Sequence, residues 1–143
     1  VEQRDMQRLE TTTQLAETVE RACPRRGVRT HPATGVFQAL RMVVNDELDQ
    51  AQAGLDAAWS VLKPTGRLVV ITFHSGEDRL VKQFSRGLAK PYTVRGGIDV
   101  PELREPREPL ARELSRKAIR PGAAELERNP RSRSAQLRAL EKL

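Results

Sequence analysis

Cysteine and histidine are nearly absent from this chain. Cys23 stands alone, so an internal disulfide and a cysteine-rich zinc cluster are both excluded, and such cysteine usage suits a reducing cytoplasm. His31 and His74 are the only histidines; with one cysteine they make no metal-ligand spacing, and no metal site is expected. Aromatic residues make up 3% of the chain, too few for a platform on which single-stranded bases stack. No apolar run approaches the roughly 20 residues that cross a membrane, and no secretory pattern opens the chain, so no membrane partner is expected. The first residue is Val1 rather than methionine, which reads as a piece of a longer chain. No G-x-G-x-x-G or P-loop string occurs, so no phosphate-cradling glycine loop is expected. No G-x-S-x-G elbow precedes Ser75, which argues against a serine nucleophile.

Positive charge is what the chain has in excess. Its 25 lysines and arginines outnumber 19 acids, for a formal net charge of +6. That surplus suits a phosphate-bearing partner, and equally a soluble arginine-rich surface. It is concentrated late: between Arg104 and Leu143 there are 11 Arg or Lys against 6 Asp or Glu. At 143 residues there is room for one modest domain with a single core.

The opening VEQRDMQRLE is polar and reads as the end of a helix begun upstream. Thr11 and Gln14 fit a capping box, and Leu15, Ala16, Val19 and Ala22 recur at helical spacing until Pro24 stops the segment. CPRRGVRTHP follows as a basic loop. Phe37, Leu40, Val44, Leu48, Ala51, Leu55, Ala58 and Leu62 keep spacings of three and four, so one long helix or two abutting helices must bury that stripe, with a kink at Asn45 and Asp46. Pro64, Thr65 and Gly66 turn the chain into RLVVITF, a continuous β-branched run that predicts a strand covered on both faces, as parallel strands are. A second capping box, Ser75 with Asp78, starts a helix that buries Leu80, Val81, Phe84 and Leu88. Helix, strand, helix is the unit of an α/β fold. The stretch at about 87–110, rich in Gly, Pro and charge, reads as a long surface loop. LSRKAI fits a short strand; SAQLRALEKL fits a helix by composition and a strand by alternation.

VVITFHSGEDR puts a histidine beyond the carboxyl end of a strand, where open α/β sheets bind ligands. There His74 can donate, accept or take a proton near neutral pH, beside Ser75 and with Glu77 and Asp78 to orient polar groups. The same residues also have structural uses: Ser75 and Asp78 as caps, Glu77 and Asp78 as anions at a positive helix start, His74 as a partner for loop carbonyls. In RTHPATGVFQALRMVVNDEL, Pro32 and Thr34 suit a helix start. Gln38, Arg41 and Asn45 then share one helix face, Arg41 suited to a phosphate and the two amides to a base edge, although a solvated face explains all three. RNPRSRSAQLR supplies Arg131 and Arg133 without interleaved aromatics, so contacts with nucleic acid would be to phosphates and salt-sensitive.

Taken together, HPATGVFQALRMVVNDEL, LKPTGRLVVITFHSGEDRLVKQF, RKAIRP and NPRSRSAQLRALEKL strongly resemble, in order and in interval, the C-terminal half of the bacterial 16S rRNA (cytosine-N4)-methyltransferases of the MraW/RsmH family. The resemblance implies an α/β fold: the C-terminal portion of a class I, Rossmann-like methyltransferase sheet, preceded by the end of a helical insertion. Residues 1–28 would end that insertion and 29–143 would belong to the methyltransferase domain, with RLVVITF a central strand and LSRKAI and SAQLRAL the last strands. It implies S-adenosylmethionine as methyl donor, bound mainly by an N-terminal half whose glycine-rich loop, ribose-binding acid and Asp-Leu-Gly segment precede the region present; no cofactor-binding residue is assigned here.

The implied substrate is a cytidine in the decoding centre of 16S rRNA in the small ribosomal subunit, and the implied location the cytoplasm. The exocyclic amine is a weak nucleophile because its lone pair is delocalised, so the site must align it with the methyl sulfonium and accept a hydrogen bond from it, with the base turned out of its RNA context. His74 and Ser75 are the expected catalytic residues. His31, Gln38, Arg41, Asn45, Glu77, Asp78, Arg79, Arg131 and Arg133 are the expected substrate and RNA contacts. Three positions depart from the family's pattern: Gly35 replaces an arginine, Gly76 a leucine, and Thr65 a second glycine. Two other classes stay open, a non-catalytic RNA-binding or assembly module and an inert truncation product. A half-sheet would also present an edge for pairing with a second copy, making a dimer.

Overall fold

The computed structural model describes residues 8–24, 27, 30–94, 96 and 98–143. The helix end expected in the first residues, and part of the CPRRGVRTHP loop, lie outside the described residues. The chain divides into two compact units, Val1–Glu47 and Leu48–Leu143.

In the first unit α1 (Thr12–Ala22) begins at the expected capping box: Thr11 Oγ1 accepts the Gln14 N–H at 3.2 Å, and Gln14 Oε1 accepts the Thr11 N–H at 3.1 Å. Helix α2 spans Ala33–Val44 and α3 spans Glu47–Val61. Between them Asp46 takes a left-handed φ of 49°, so the long stripe is carried by two abutting helices broken at the expected place. Its burial is not continuous. Leu55 is buried, whereas Leu40 and Leu48 are exposed and Val44 is 78% exposed. Periodicity shows that a face needs cover without showing that the same chain supplies it.

The second unit is built around β1 (Arg67–Thr72), α4 (Ser75–Ala89), β2 (Tyr92–Val94), β3 (Arg104–Pro106), β4 (Ala111–Glu113), α5 (Ala123–Arg128) and β5 (Gln136–Lys142). The turn into β1 is tight: Thr65 has φ 67°, and Lys142, at the far end of β5, holds it through Thr65 N–H to Lys142 O at 2.8 Å and Lys142 N–H to Gly66 O at 2.9 Å. The Lys142 ammonium donates to the Trp59 and Leu62 carbonyls at 3.0 and 2.8 Å, so β5 caps the C-terminal end of α3, whose last turn has no basic residue of its own. Trp59 meets Phe84 of α4 edge-on, with centroids 6.3 Å apart.

The main sheet has the order β1–β5–β4, and both pairings are antiparallel. SAQLRAL is therefore a strand, and a central one: Leu140 is fully buried. Glu141 lies in register with Arg67 on one side and Arg112 on the other and binds both, at 3.1 and 2.5 Å, a cross-strand charge ladder. The hydrogen bonds from Arg67 and Arg112 hold its carboxyl below the usual glutamate value.

Four expectations need correction. RLVVITF is paired on one edge only among the described residues, to an antiparallel neighbour, and Val69, Ile71 and Phe73 are more than half exposed. Apolar content reports a strand's demand for cover, and within this chain only the Leu68, Val70 and Thr72 face receives it. LSRKAI is not a strand; the strand lies just before it, at Ala111–Glu113, and from LSRKAI itself the Leu114 N–H donates to Ala139 O at 2.9 Å and Ile119 bridges β5 at Leu137. The expected loop at 87–110 contains the end of α4 and an antiparallel β2–β3 ribbon. Polar contacts rather than apolar burial hold that ribbon: Arg104 and Lys90 flank the Tyr92 ring, and Asp99 binds Lys90 at 2.5 Å and Arg104 at 2.7 Å. The capping box of α4 is the fourth, taken up below.

Candidate functional site

The helix after β1 starts at Ser75, and its N-cap is His74, with extended backbone angles. The imidazole takes the part usually played by a short oxygen side chain. Its Nδ1 accepts the Glu77 N–H at 3.3 Å, and Glu77 Oε2 accepts the N–H groups of Phe73 and His74 at 2.9 and 3.3 Å. The box is thus His74 with Glu77 rather than Ser75 with Asp78: the helix begins one residue earlier than that pairing requires, which shifts the cap back by one. An imidazole accepting through Nδ1 carries its proton on Nε2. That nitrogen is buried without a hydrogen-bond partner; Glu77 Oε1 is 3.2 Å away but outside hydrogen-bonding geometry.

Released from capping, Asp78 turns to the sheet. Its two carboxylate oxygens take Nε and a terminal nitrogen of Arg138 on β5, at 2.7 and 3.0 Å, the bidentate fork favoured by arginine. The side chains are 16% and 11% exposed. The Arg138 hydrogen bond holds the Asp78 carboxyl below its usual value against the cost of burial, and the same bond raises Arg138. The first turns of α4 therefore gather His74, Ser75, Glu77, Asp78 and Arg79, as the sequence predicts. Asp78, however, is engaged in holding α4 to β5. Gly76 lies in that first turn, half-buried. Arg131 and Arg133 sit in a short 3-10 turn, Pro130–Ser134, that leads into Gln136, the residue facing Thr72 across the ladder; they stand at the same end of the sheet as His74. Arg79, Arg131 and Arg133 are exposed and have no ionic partner among the described residues.

The remaining candidates lie in the other unit. His31 Nδ1 accepts the Ala33 N–H at 3.2 Å and its carbonyl accepts from Thr34 at 3.0 Å, so it closes the start of α2, where Pro32 offers no side-chain cap. Gln38 is half-buried on α2. Arg41 grips Glu47 with two bonds, at 2.7 and 3.1 Å, and the Asn45 amide adds a third at 3.4 Å. The structure thus unites Arg41 and Asn45 through an acid that is not among the residues expected from sequence. Gly35 faces open space, so an arginine there would fit without strain.

Sequence reasoning misses two features. Arg138 is nearly buried in a strand and carries no local mark of its role. A recess along α4 is lined by Lys82, Arg86, Arg116, Lys117, Arg120 and Arg138; here a signal exists, since Asp78, Lys82 and Arg86 recur every four residues and so share one face of the helix.

The model of the MraW methylase family matches residues 1–143. The chain is similar to curated proteins named Ribosomal RNA small subunit methyltransferase H. That of Thermomicrobium roseum is 52% identical over 143 residues, covering 100% of this chain and 43% of the relative. Those of Hyphomonas neptunium and Symbiobacterium thermophilum are 51% and 50% identical, covering 97% and 94% of this chain and 41% and 42% of their own lengths. The chain spans about two fifths of the length of the curated relatives it matches. With the family model matched from end to end and half the residues identical to such relatives, the chain belongs to the MraW methylase family.

Proposed function

We propose that this chain is the C-terminal part of an S-adenosylmethionine-dependent methyltransferase that modifies N4 of a cytidine in the decoding centre of small-subunit rRNA, in the cytoplasm. The observation that carries this reading is the end-to-end similarity to proteins named for small-subunit rRNA methylation. The edge of β1, unpaired among the described residues, supports the further step that the sheet continues in residues outside this chain. RLVVITF has the composition of a strand covered on both faces, and in a continued Rossmann-like sheet further strands would pair its edge while their crossover helices covered its exposed Val69, Ile71 and Phe73. Pairing of two copies through the same edge is the competing occupant. Residues 1–28 are read as the end of a helical insertion.

S-adenosylmethionine would supply the methyl group, but the described residues do not fit it. Its ribose hydroxyls and amino-acid end need a glycine turn and free polar partners. The cleft of about 300 Å³ between α3, β1 and α4 is walled by apolar residues such as Leu55, Ala58 and Val70 and has Glu77 as its one carboxylate, already engaged in the α4 cap. No step through the cofactor is therefore derived from these residues.

What the chain offers is a hold on the base. His74 Nε2, buried and without a hydrogen-bond partner, stands 3.2 Å from Glu77 Oε1, a donor and an acceptor side by side that would meet the edge of a cytosine once the start of α4 opens to admit it. Ser75 is exposed beside them. The test is mass-spectrometric detection of N4-methylcytidine in small subunits treated with the intact protein and its His74→Asn and His74→Ala variants. Asparagine keeps the helix cap and removes the imidazole, so loss of methylation in both variants is expected. Full methylation by His74→Asn would reduce His74 to a cap, and no N4-methylcytidine with the unaltered protein would remove the assigned reaction.

A further inference from the structure

We infer that the basic recess between α4 and the segment before α5 binds the sugar-phosphate backbone of the RNA substrate, away from the reacting base. The inference rests on the functional reading above and adds a site to it. The recess encloses about 660 Å³. Its cations come from three pieces of chain: Lys82 and Arg86 from α4, Arg116, Lys117 and Arg120 from the stretch after β4, and Arg138 from β5.

The convergence of these charges on one hollow distinguishes the recess from an ordinary arginine-rich surface. Elsewhere in the second unit Arg67 and Arg112 are matched on Glu141, Lys90 and Arg104 on Asp99, and Lys142 and Arg107 on backbone carbonyls, while Arg79, Arg131 and Arg133 stand on the open surface and line no part of the recess. In the recess, Arg138 takes both oxygens of Asp78, and Lys82 and Arg120 share that carboxylate only through its longer-range field. Arg86, Arg116 and Lys117 have no ionic partner among the described residues, and Lys82 and Arg120 make no close ion pair there. Five cations without a close ion pair around one hollow repel one another unless an anion fills it, and a low-dielectric wall strengthens the field they project. The arginine forks suit phosphate oxygens geometrically.

Its position fits a path to the candidate site. Gln136 on the recess wall is paired with Thr72, two residues before His74, and Lys82 stands one helical turn beyond Asp78. A strand lying in the recess would run along α4 toward the end of β1. No aromatic residue lines it, so contact is with phosphates and is independent of base sequence.

The experiment measures binding of the full-length protein to a fluorescein-labelled fragment of the decoding region and to a scrambled RNA of equal length, each over a range of salt. Removing one cation that touches a phosphate of a single strand lowers the steepness of log K against log salt by about 0.7. Arg86→Gln with Lys117→Gln is expected to reduce it by about 1.4 for both RNAs. The control Lys63→Gln with Arg128→Gln removes the same charge outside the recess and is expected to leave the slope within about 0.5 of the unaltered protein. Equal effects from the two pairs, or an unchanged slope in the recess pair, would overturn the assignment. Methylation of small subunits, measured in parallel, separates the two readings. Normal N4-methylcytidine with an insensitive recess removes the recess and keeps the function; a reduced slope without any N4-methylcytidine keeps the recess and removes the function.

Discussion

The Asp78–Arg138 pair makes the sharpest claim about how the candidate site is held. Replacing Asp78 with asparagine keeps the size and one hydrogen-bond acceptor but leaves the Arg138 guanidinium, 11% exposed, without a counter-charge. Breaking a fully buried pair costs about 3–5 kcal/mol, and an exposed one about 0.2–1 kcal/mol. With both side chains mostly covered and the contact bidentate at 2.7 and 3.0 Å, the expected loss lies nearer the first range, at about 2–4 kcal/mol. Arg138→Met added to Asp78→Asn removes the stranded charge, so the double variant should recover part of the loss, with a coupling of about 1.5–3 kcal/mol. Urea denaturation of the four proteins followed by circular dichroism measures it. Hydrogen bonding to Arg138 puts the folded carboxyl below its ordinary value of 3.8. The pair's contribution is therefore complete above that value and is lost as pH falls through the lower, folded one. At neutral pH RNA affinity should hold or rise in Asp78→Asn, because the substitution frees a cation beside the recess. A coupling below about 0.5 kcal/mol, at the level of an exposed pair, would refute the bracing role. Weakened RNA binding without loss of stability would return Asp78 to the RNA contacts expected from sequence.

The turn before β1 gives a second test. Thr65 sits at φ 67°, where a β-branched side chain is strained by about 1–2 kcal/mol, so Thr65→Gly should raise the melting temperature, and an unchanged or lower value would count against that strain. Gly66→Ala should do the opposite, since its added Cβ would meet Leu62 Cδ2 at 2.6 Å and the Lys63 carbonyl at 2.7 Å; full stability would mean the turn is looser than described. In the β2–β3 ribbon, hydrogen bonds from Lys90 and Arg104 lower Asp99 from 3.8 to about 2. The stabilisation from this pairing is present above about pH 3.8 and is lost as pH falls toward 2; an Asp99 carboxyl titrating at its ordinary value by NMR would remove the pairing.

Local chemistry explains which parts of the fold are legible in the sequence. Thr11 and Gln14, the break at Asn45 and Asp46, and the Pro64–Gly66 turn depend on neighbours within a few residues, and all are found where expected. SAQLRALEKL fits both helix and strand because its composition favours one and its alternation the other; it becomes β5 by lying between β1 and β4, with Leu140 buried and Glu141 clasped from both sides. Partner strands supply that environment from more than 25 residues away, beyond any sequence window. The stretch around Tyr92 reads as loop because it lacks apolar content, whereas the ribbon's cohesion comes from cation and carboxylate contacts with one tyrosine.

For the site, position is readable and pairing is not. The end of RLVVITF does place His74 and two acids at a helix start, yet which acid caps and which reaches the sheet turns on a single-residue shift in where the helix begins. That shift sets the electrostatics around the whole edge. With Glu77 closing the cap, Asp78 is free to neutralise Arg138, and the four-residue row continues as Lys82 and Arg86, neither of which is held in a close ion pair among the described residues. Had Asp78 been the cap, as sequence implies, Arg138 would be an uncompensated buried cation and β5 would lose its tie to α4. The carboxylates expected to face RNA are thus the ones that close the helix and anchor the sheet. The charge left over for phosphate lies one and two turns further along α4.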